Sequence, residues 1–119
     1  MSAVILLIDE EVNLRLSIAQ ILREAGNVVV LAENRLEAVD LLKVLHFDLV
    51  LLDIKSTTNV EVGFIKELQE SFSDIPLLIL NACPRVGAPL QLEVSSEIRY
   101  LAKPVDPPAI LETIHSMLN

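Results

Sequence analysis

Asp9, Glu10 and Glu11 follow one short apolar run of the chain, Asp53 ends another, Asn81 ends a third, and Lys103 stands just past a fourth. If the fold gathers them, such acids repel. Two carboxylates about 4 Å apart cost roughly 4 kcal/mol at an effective dielectric of 20. A cation or a shared proton relieves that crowding. Magnesium is the natural candidate, a hard cation satisfied by one or two carboxylates with waters and phosphate oxygens. A lysine ammonium nearby then offers a point charge for an anion held there. A plainer reading stands beside this one. Acids before a helix favour the positive end of its dipole, so each residue alone also reads as a cap or a solvated turn acid. Their joint placement favours the site.

The elements that must position these residues are short. Val4 to Ile8, Val28 to Leu31, Leu49 to Leu52, Leu77 to Leu80 and, more weakly, Ile98 to Leu101 are Val-, Ile- and Leu-rich runs. They lack polar alternation, which is how strands buried on both faces of a parallel sheet read. Helical periodicity fills the intervals. Leu14, Ile18, Ile21, Leu22 and Ala25 form one face that ends before Gly26; Ala38, Leu41, Leu42 and Leu45 form another, with Asn34 as N-cap. Phe64, Ile65, Leu68 and Phe72 repeat the pattern, and Pro107-Pro108 opens a last helix carrying Ile110, Leu111, Ile114 and Leu118. A short or distorted helix is expected between Pro84 and Ser96. Strand–helix alternation of this kind predicts an α/β fold, a doubly wound five-stranded parallel sheet with helices on both faces. In such sheets the site lies beyond the carboxyl ends of the strands.

Composition narrows the classes. At 119 residues and 52% hydrophobic, the chain is one domain's worth, residues 1–119, and too apolar for disorder. Its longest apolar run, Ala3 to Ile8, is far short of the roughly 20 residues that span a bilayer, so no membrane association is expected. Seventeen acidic against nine basic residues give a charge of −8, which repels nucleic acid phosphates and argues against direct nucleic-acid binding. A single cysteine excludes an internal disulfide and suits a reducing, cytoplasmic setting. Cys83, His46 and His115 have no ligand-like or catalytic partners nearby and read as structural. Three glycines leave no phosphate-cradling loop.

The segments Ile5-Leu6-Leu7-Ile8-Asp9-Glu10-Glu11, Asp48-Leu49-Val50-Leu51-Leu52-Asp53 and Tyr100-Leu101-Ala102-Lys103-Pro104 occur in register with Asn81. On these the chain resembles, over essentially its whole length, the receiver domain of two-component response regulators. The resemblance implies a flavodoxin-like sheet of order 2-1-3-4-5. It implies that Asp53 is the phosphoacceptor, attacking a phosphohistidine of a sensor histidine kinase or phosphotransfer protein. Asp9 and Glu10 would hold Mg²⁺ with Asp53 and the backbone carbonyl of Lys55, and Lys103 would pair with the phosphoryl oxygens. Lys103-Pro104 would be a cis peptide, and Tyr100 would be an aromatic that turns inward on activation. The implied protein is a signalling switch of the bacterial two-component kind and not an enzyme. Its output surface, for an effector or a second copy, would be the 84–118 face.

The sequence also departs from that family pattern. Asn81 stands where the family has Thr or Ser, Thr57 where it has proline, and Glu61 and Ser96 where it has glycine. Lys55 brings a cation to the rim. These departures support an alternative, a divergent receiver acting as a protein-interaction module with weak or no phosphorylation-dependent switching. A small hydrolase or phosphatase with Asp53 as nucleophile is disfavoured, because Lys55 occupies the position of its second acid.

Overall fold

The computed structural model describes residues 2–54, 59–81, 98–102 and 106–118. Along the chain run β1 (Val4–Ile8), α1 (Val12–Glu24), β2 (Val28–Ala32), α2 (Arg35–Val44), β3 (Leu49–Ile54), α3 (Asn59–Ser71), β4 (Leu77–Asn81), β5 (Ile98–Ala102) and α4 (Pro107–Leu118). All five strands pair in parallel, in the order β2-β1-β3-β4-β5. Every expected strand is present, and all but β1 run one or two residues further toward their carboxyl ends.

The pleat sorts the apolar runs into two layers, because successive side chains point to opposite faces. Ile5, Leu7, Leu49, Leu51, Leu78 and Leu80 are buried in one cluster with Ile18, Ala19 and Leu22 of α1 and Ile110, Ile114 and Met117 of α4. Leu6, Ile8, Val50, Leu52, Ile54, Leu77 and Ile79 join Ala38 and Leu42 of α2 and Phe64, Ile65 and Leu68 of α3. Each buried Leu, Ile, Val, Phe or Met side chain among them contributes about 1.5–3 kcal/mol on leaving water, so both layers are strongly held. Met117, silent in the sequence, is therefore a core residue.

Burial on both faces holds for β1, β3 and β4 and fails at the margins. Val28 of β2 is 53% exposed, and Arg99 and Tyr100 of β5 are exposed. Strand order is the reason: β2 and β5 are the outer strands.

The helix faces also need correction. In α1 the buried stripe is Arg15, Ile18, Ala19 and Leu22. Leu14 and Ile21 are only half-buried and Ala25 is exposed. The stripe is turned because the Arg15 guanidinium finds acceptors at the strand ends. Leu45 lies past the end of α2 and is exposed, while Phe47, two residues on, closes the core. Phe72 falls just beyond α3 and is half-buried.

Helix ends follow their residues more closely. Gly26 takes φ +98°, donating to the Arg23 carbonyl, while the Asn27 N–H donates to the Leu22 carbonyl. That is a Schellman termination, for which glycine is the residue without steric cost. Asn34 caps α2, its side-chain oxygen accepting from the Glu37 N–H at 2.9 Å. Glu37 in turn accepts from the Glu33 N–H, so both donors are satisfied reciprocally. The helix expected over 84–96 and the structural reading of Cys83 lie outside the described residues. Among the described residues no helix is long and apolar enough to cross a membrane.

Candidate functional site

Strands β1 and β3 pair from Ile5 opposite Leu49 to Ile8 opposite Leu52. The next residue on each, Asp9 and Asp53, therefore comes to the same carboxyl end of the sheet. Asp9 is fixed from several sides. Its N–H donates to the Ala32 carbonyl at 3.2 Å, which carries the β1–β2 ladder one residue further. Its Oδ1 accepts from the Glu11 N–H at 2.9 Å, turning the chain into α1. Its carbonyl accepts from Arg15 Nη1 at 2.7 Å, and Arg15 Nη2 lies 3.7 Å from Glu33 Oε1. A buried arginine side chain is costly unless acceptors meet its charge, so Arg15, bonded to the Asp9 carbonyl and beside Glu33, clips the ends of β1 and β2 to α1.

A cavity of about 40 Å³ opens among these ends. Asp9, Glu10, Asp53 and Glu61 line it, with Asn34 and Arg35 from the start of α2 and Phe64 from α3. Asp9 is 2% exposed, Asp53 and Glu61 are half-buried, and Glu10 is exposed. The fold thus gathers three acids named from the sequence and adds a fourth, Glu61. A water needs about 10–15 Å³ of such space, so the cavity admits an ion with a small part of its hydration shell.

The donor set decides whether magnesium suits this cavity. Among the described residues no group of three or more carboxylates, histidines or cysteines forms a ready-made cage. Magnesium does not require one, since it retains waters and takes one or two carboxylates. Hard oxygen donors on adjacent strand ends fit that ion and not a soft metal.

Other sequence-named residues fall elsewhere. The backbone of Asn81 ends β4 opposite Ile54 of β3 and Ala102 of β5. Lys55, Lys103 and the Lys103-Pro104 peptide lie outside the described residues, as do Thr57 and Ser96. Tyr100 sits mid-strand in β5 opposite Ile79, off the cavity and 38% exposed. Partial burial raises its phenol above the ordinary value. His46 lies 3.5 Å from Asp48 and is nearly fully exposed; His115 is exposed on α4. A cavity of about 410 Å³ lies between α4 and the region of Ala3, Ala25 and Asn27, at the opposite end of the sheet from the four acids.

Sequence reasoning missed Arg15, Arg35 and Phe64 at this site. Arg15 looks like any helix-surface arginine, and Phe64 was assigned only to the core. Asn34 was read as a cap, which it is, but the same position at the end of β2 brings it to the cavity.

Comparison with known proteins agrees with this architecture. A family model described as the response regulator receiver domain matches residues 5–115. The transcriptional regulatory protein ZraR of Klebsiella oxytoca is 32% identical over 102 residues, covering 86% of this chain and 23% of that protein. This chain therefore spans about a quarter of that relative. The polar-differentiation response regulator DivK of Brucella ovis is 28% identical over 119 residues, covering 98% of this chain and 96% of the relative. The chemotaxis protein CheY4 of Vibrio cholerae superposes with a TM-score of 0.82 at 22% identity, over 99% of this chain and 100% of that one. The response regulator TrrA of Thermotoga maritima, solved with Mg²⁺ and beryllofluoride, superposes with a TM-score of 0.77 at 24% identity, over 98% and 99%.

Proposed function

The chain belongs to the response regulator receiver domain family, and from that premise we propose that it is a phosphoacceptor, taking a phosphoryl group on Asp53 from a phosphohistidine of a kinase or phosphotransfer protein. The observation that supports this is the cavity itself, with Asp53 at the end of β3 beside Asp9 and Glu10. In the step, an Asp53 carboxylate oxygen bonds to phosphorus as the P–N bond breaks. The departing imidazole nitrogen keeps the electron pair and takes a proton from solvent, and an acyl phosphate remains on Asp53. Phosphoryl transfer of this kind depends on in-line positioning and charge neutralisation more than on covalent machinery.

Asp9, Glu10 and Asp53, with the Lys55 carbonyl that the resemblance adds, would hold Mg²⁺. When bound, the ion neutralises charge developing on the transferring oxygens. Lys103 would supply a second positive charge, and the Asn81 amide would donate to a phosphoryl oxygen where the family has a hydroxyl. The Asp9 side chain is held by the Glu11 N–H and its backbone by Arg15, so this carboxylate is oriented before any ligand arrives. The protein would act in the cytoplasm as a switch, its output passing through Tyr100 and the 84–118 face to an effector or a second copy.

Asp53→Asn tests the acceptor. With Mg²⁺ and a labelled small phosphodonor, the native chain is expected to take up label to near one equivalent and the variant none. Stoichiometric labelling of the variant would show that another residue is the acceptor.

A second reading is favoured by Glu61, whose carboxylate lines the space a phosphoryl group would enter. Its charge opposes that group, as expected of a receiver that binds partners with little phosphate-dependent switching. Amide NMR with Mg²⁺ and beryllofluoride separates the two. Shifts that extend from Asp53 to β5 and α4 support the switch, and shifts confined to the cavity support the interaction module.

A further inference from the structure

Four carboxylates line the cavity, and a phosphodonor that reaches Asp53 must bring further negative charge among them. Among the described residues of the lining, Arg35 is the one cation. It is the first residue of α2, exposed, yet its head is held in place. The guanidinium lies 5.8 Å from the centre of the Phe64 ring, within cation–π range. Nη1 also makes a long 3.5 Å contact to the Val60 carbonyl. Both partners belong to α3, so the side chain reaches from the start of one helix to the start of the next beside the cavity.

We infer that Arg35 is a binding residue for the anionic phosphodonor, its guanidinium receiving the phosphate oxygens as they enter the acid-lined cavity. This rests on the phosphoacceptor reading of Asp53. Three observations support it. The charge has the sign the donor needs and the acids lack. The fork of guanidinium N–H groups matches phosphate oxygens, and one weak backbone contact leaves most of its donors uncommitted. Stacking on Phe64 restricts the side chain beforehand, which lowers the ordering cost of engaging a ligand. In the assayed step, an Asp53 oxygen bonds to the phosphorus of acetyl phosphate, the P–O bond to the acetyl group breaks, and acetate leaves with the electron pair. Arg35 does not enter that exchange; it holds the donor.

The test compares the native chain, Arg35→Gln and Arg35→Lys in two assays. One is the initial rate of Asp53 labelling by acetyl phosphate, a dianion, and by phosphoramidate, a monoanion, at several salt concentrations. The other is metal affinity, read by Mg²⁺ titration. For an exposed charge that steers a ligand, Arg35→Gln is expected to slow labelling by acetyl phosphate about three- to tenfold at low salt. The loss should be smaller with phosphoramidate and fade as salt is raised, since screening acts within about 10 Å at 0.1 M. Arg35→Lys, which keeps the charge but loses the fork and weakens the stacking, should fall between the native chain and Arg35→Gln. Mg²⁺ affinity in Arg35→Gln should be unchanged or tighter, because a neighbouring positive charge has been removed. Weaker metal binding together with slower labelling would show a disturbed fold and overturn the inference. So would equal losses with both donors, a lysine variant as slow as the glutamine variant, or no loss at all. If the native chain takes no label from either donor, the reading of Asp53 itself falls, an outcome separate from all of these.

Discussion

Asp48 stands just before β3 and Asp53 near its far end, about 16 Å away at a strand's rise of roughly 3.3 Å per residue. At the amino end, Asp48 is occupied with the fold. Its Oδ2 accepts from the Val4 N–H at 2.8 Å, and its own N–H donates to the Val4 carbonyl at 2.8 Å. Asn27 does the same for the neighbouring strand, accepting from the Ala3 N–H and donating to the Leu22 carbonyl. Polar side chains there pin strand starts to the turns that precede them. At the carboxyl end Asp53, Asp9, Glu10 and Glu61 share one small cavity. Asp48 at one end satisfies a backbone donor of another strand, and at the other end Asp9, which accepts from the Glu11 N–H, shares a cavity with three further acids. That asymmetry separates a structural aspartate just before β3 from the proposed phosphoacceptor near the end of the same strand.

Substitution should expose the difference most strongly at Asp48. Asp48→Ala leaves the Val4 N–H without its acceptor and removes a hydrogen bond to a charged group, a loss of about 1–3 kcal/mol. Labelling of Asp53 in the folded fraction should be unaffected. Asp53→Asn should do the reverse, abolishing labelling while leaving unfolding stability unchanged or raised, because it removes one charge from a cavity lined by four acids. Urea unfolding of both variants measures the contrast. Equal destabilisation by the two would erase the proposed division between the ends.

A smaller effect is expected at Asn34, which belongs to both kinds of region. Its side chain caps α2 through the Glu37 N–H, and it lines the cavity. Asn34→Ala should cost about 1 kcal/mol for the lost cap. Asn34→Asp keeps the cap but adds a fifth acid to the cavity, so its stability should stay near native while labelling by an anionic donor slows. A slowed alanine variant beside an unaffected aspartate variant would show that the cap, not the cavity charge, governs the site.

The strands and the gathering of Asp9, Glu10 and Asp53 were legible because short Val-, Ile- and Leu-rich runs have few alternatives and an acid after each can go only to the sheet's end. Edge exposure was not legible at Val28, which looks as apolar as Val50; the apolar pattern does not say which runs lie outside, and strand order came from the family motifs. The face of α1 was misread for a different reason. Periodicity counts arginine as a surface residue, whereas Arg15 turns inward because the Asp9 carbonyl and Glu33 offer it acceptors. Those acceptors come from two strands and were invisible along one helix. Arg35 was missed likewise, for its value comes from Phe64 and Val60 on another helix.

Tyr100 gives the smallest and most specific measure of whether the two kinds of region communicate. It is the chain's one tyrosine and there is no tryptophan, so phenolate absorbance reports on this position alone. Burial holds the phenol above its ordinary value of 10.0 by disfavouring the charged form. The neutral phenol is therefore favoured in the folded state. Any stability this contributes is complete below pH 10, the unfolded value, and is lost as pH rises through the folded one. Ultraviolet titration should place the native midpoint above that of the urea-unfolded chain, and Tyr100→Phe should lack this alkaline loss. Coincident midpoints would mean that the ring is solvated as in the unfolded chain. The register then supplies a route from the cavity: Asp53 pairs with Leu80 of β4, and Leu80 pairs with Leu101, next to Tyr100. If a phosphoryl analogue at Asp53 draws β5 inward, Mg²⁺ with beryllofluoride should raise the Tyr100 midpoint further. An unmoved midpoint, with the analogue bound at the cavity, would confine the response to the carboxyl end and favour the interaction-module reading that Glu61 suggests.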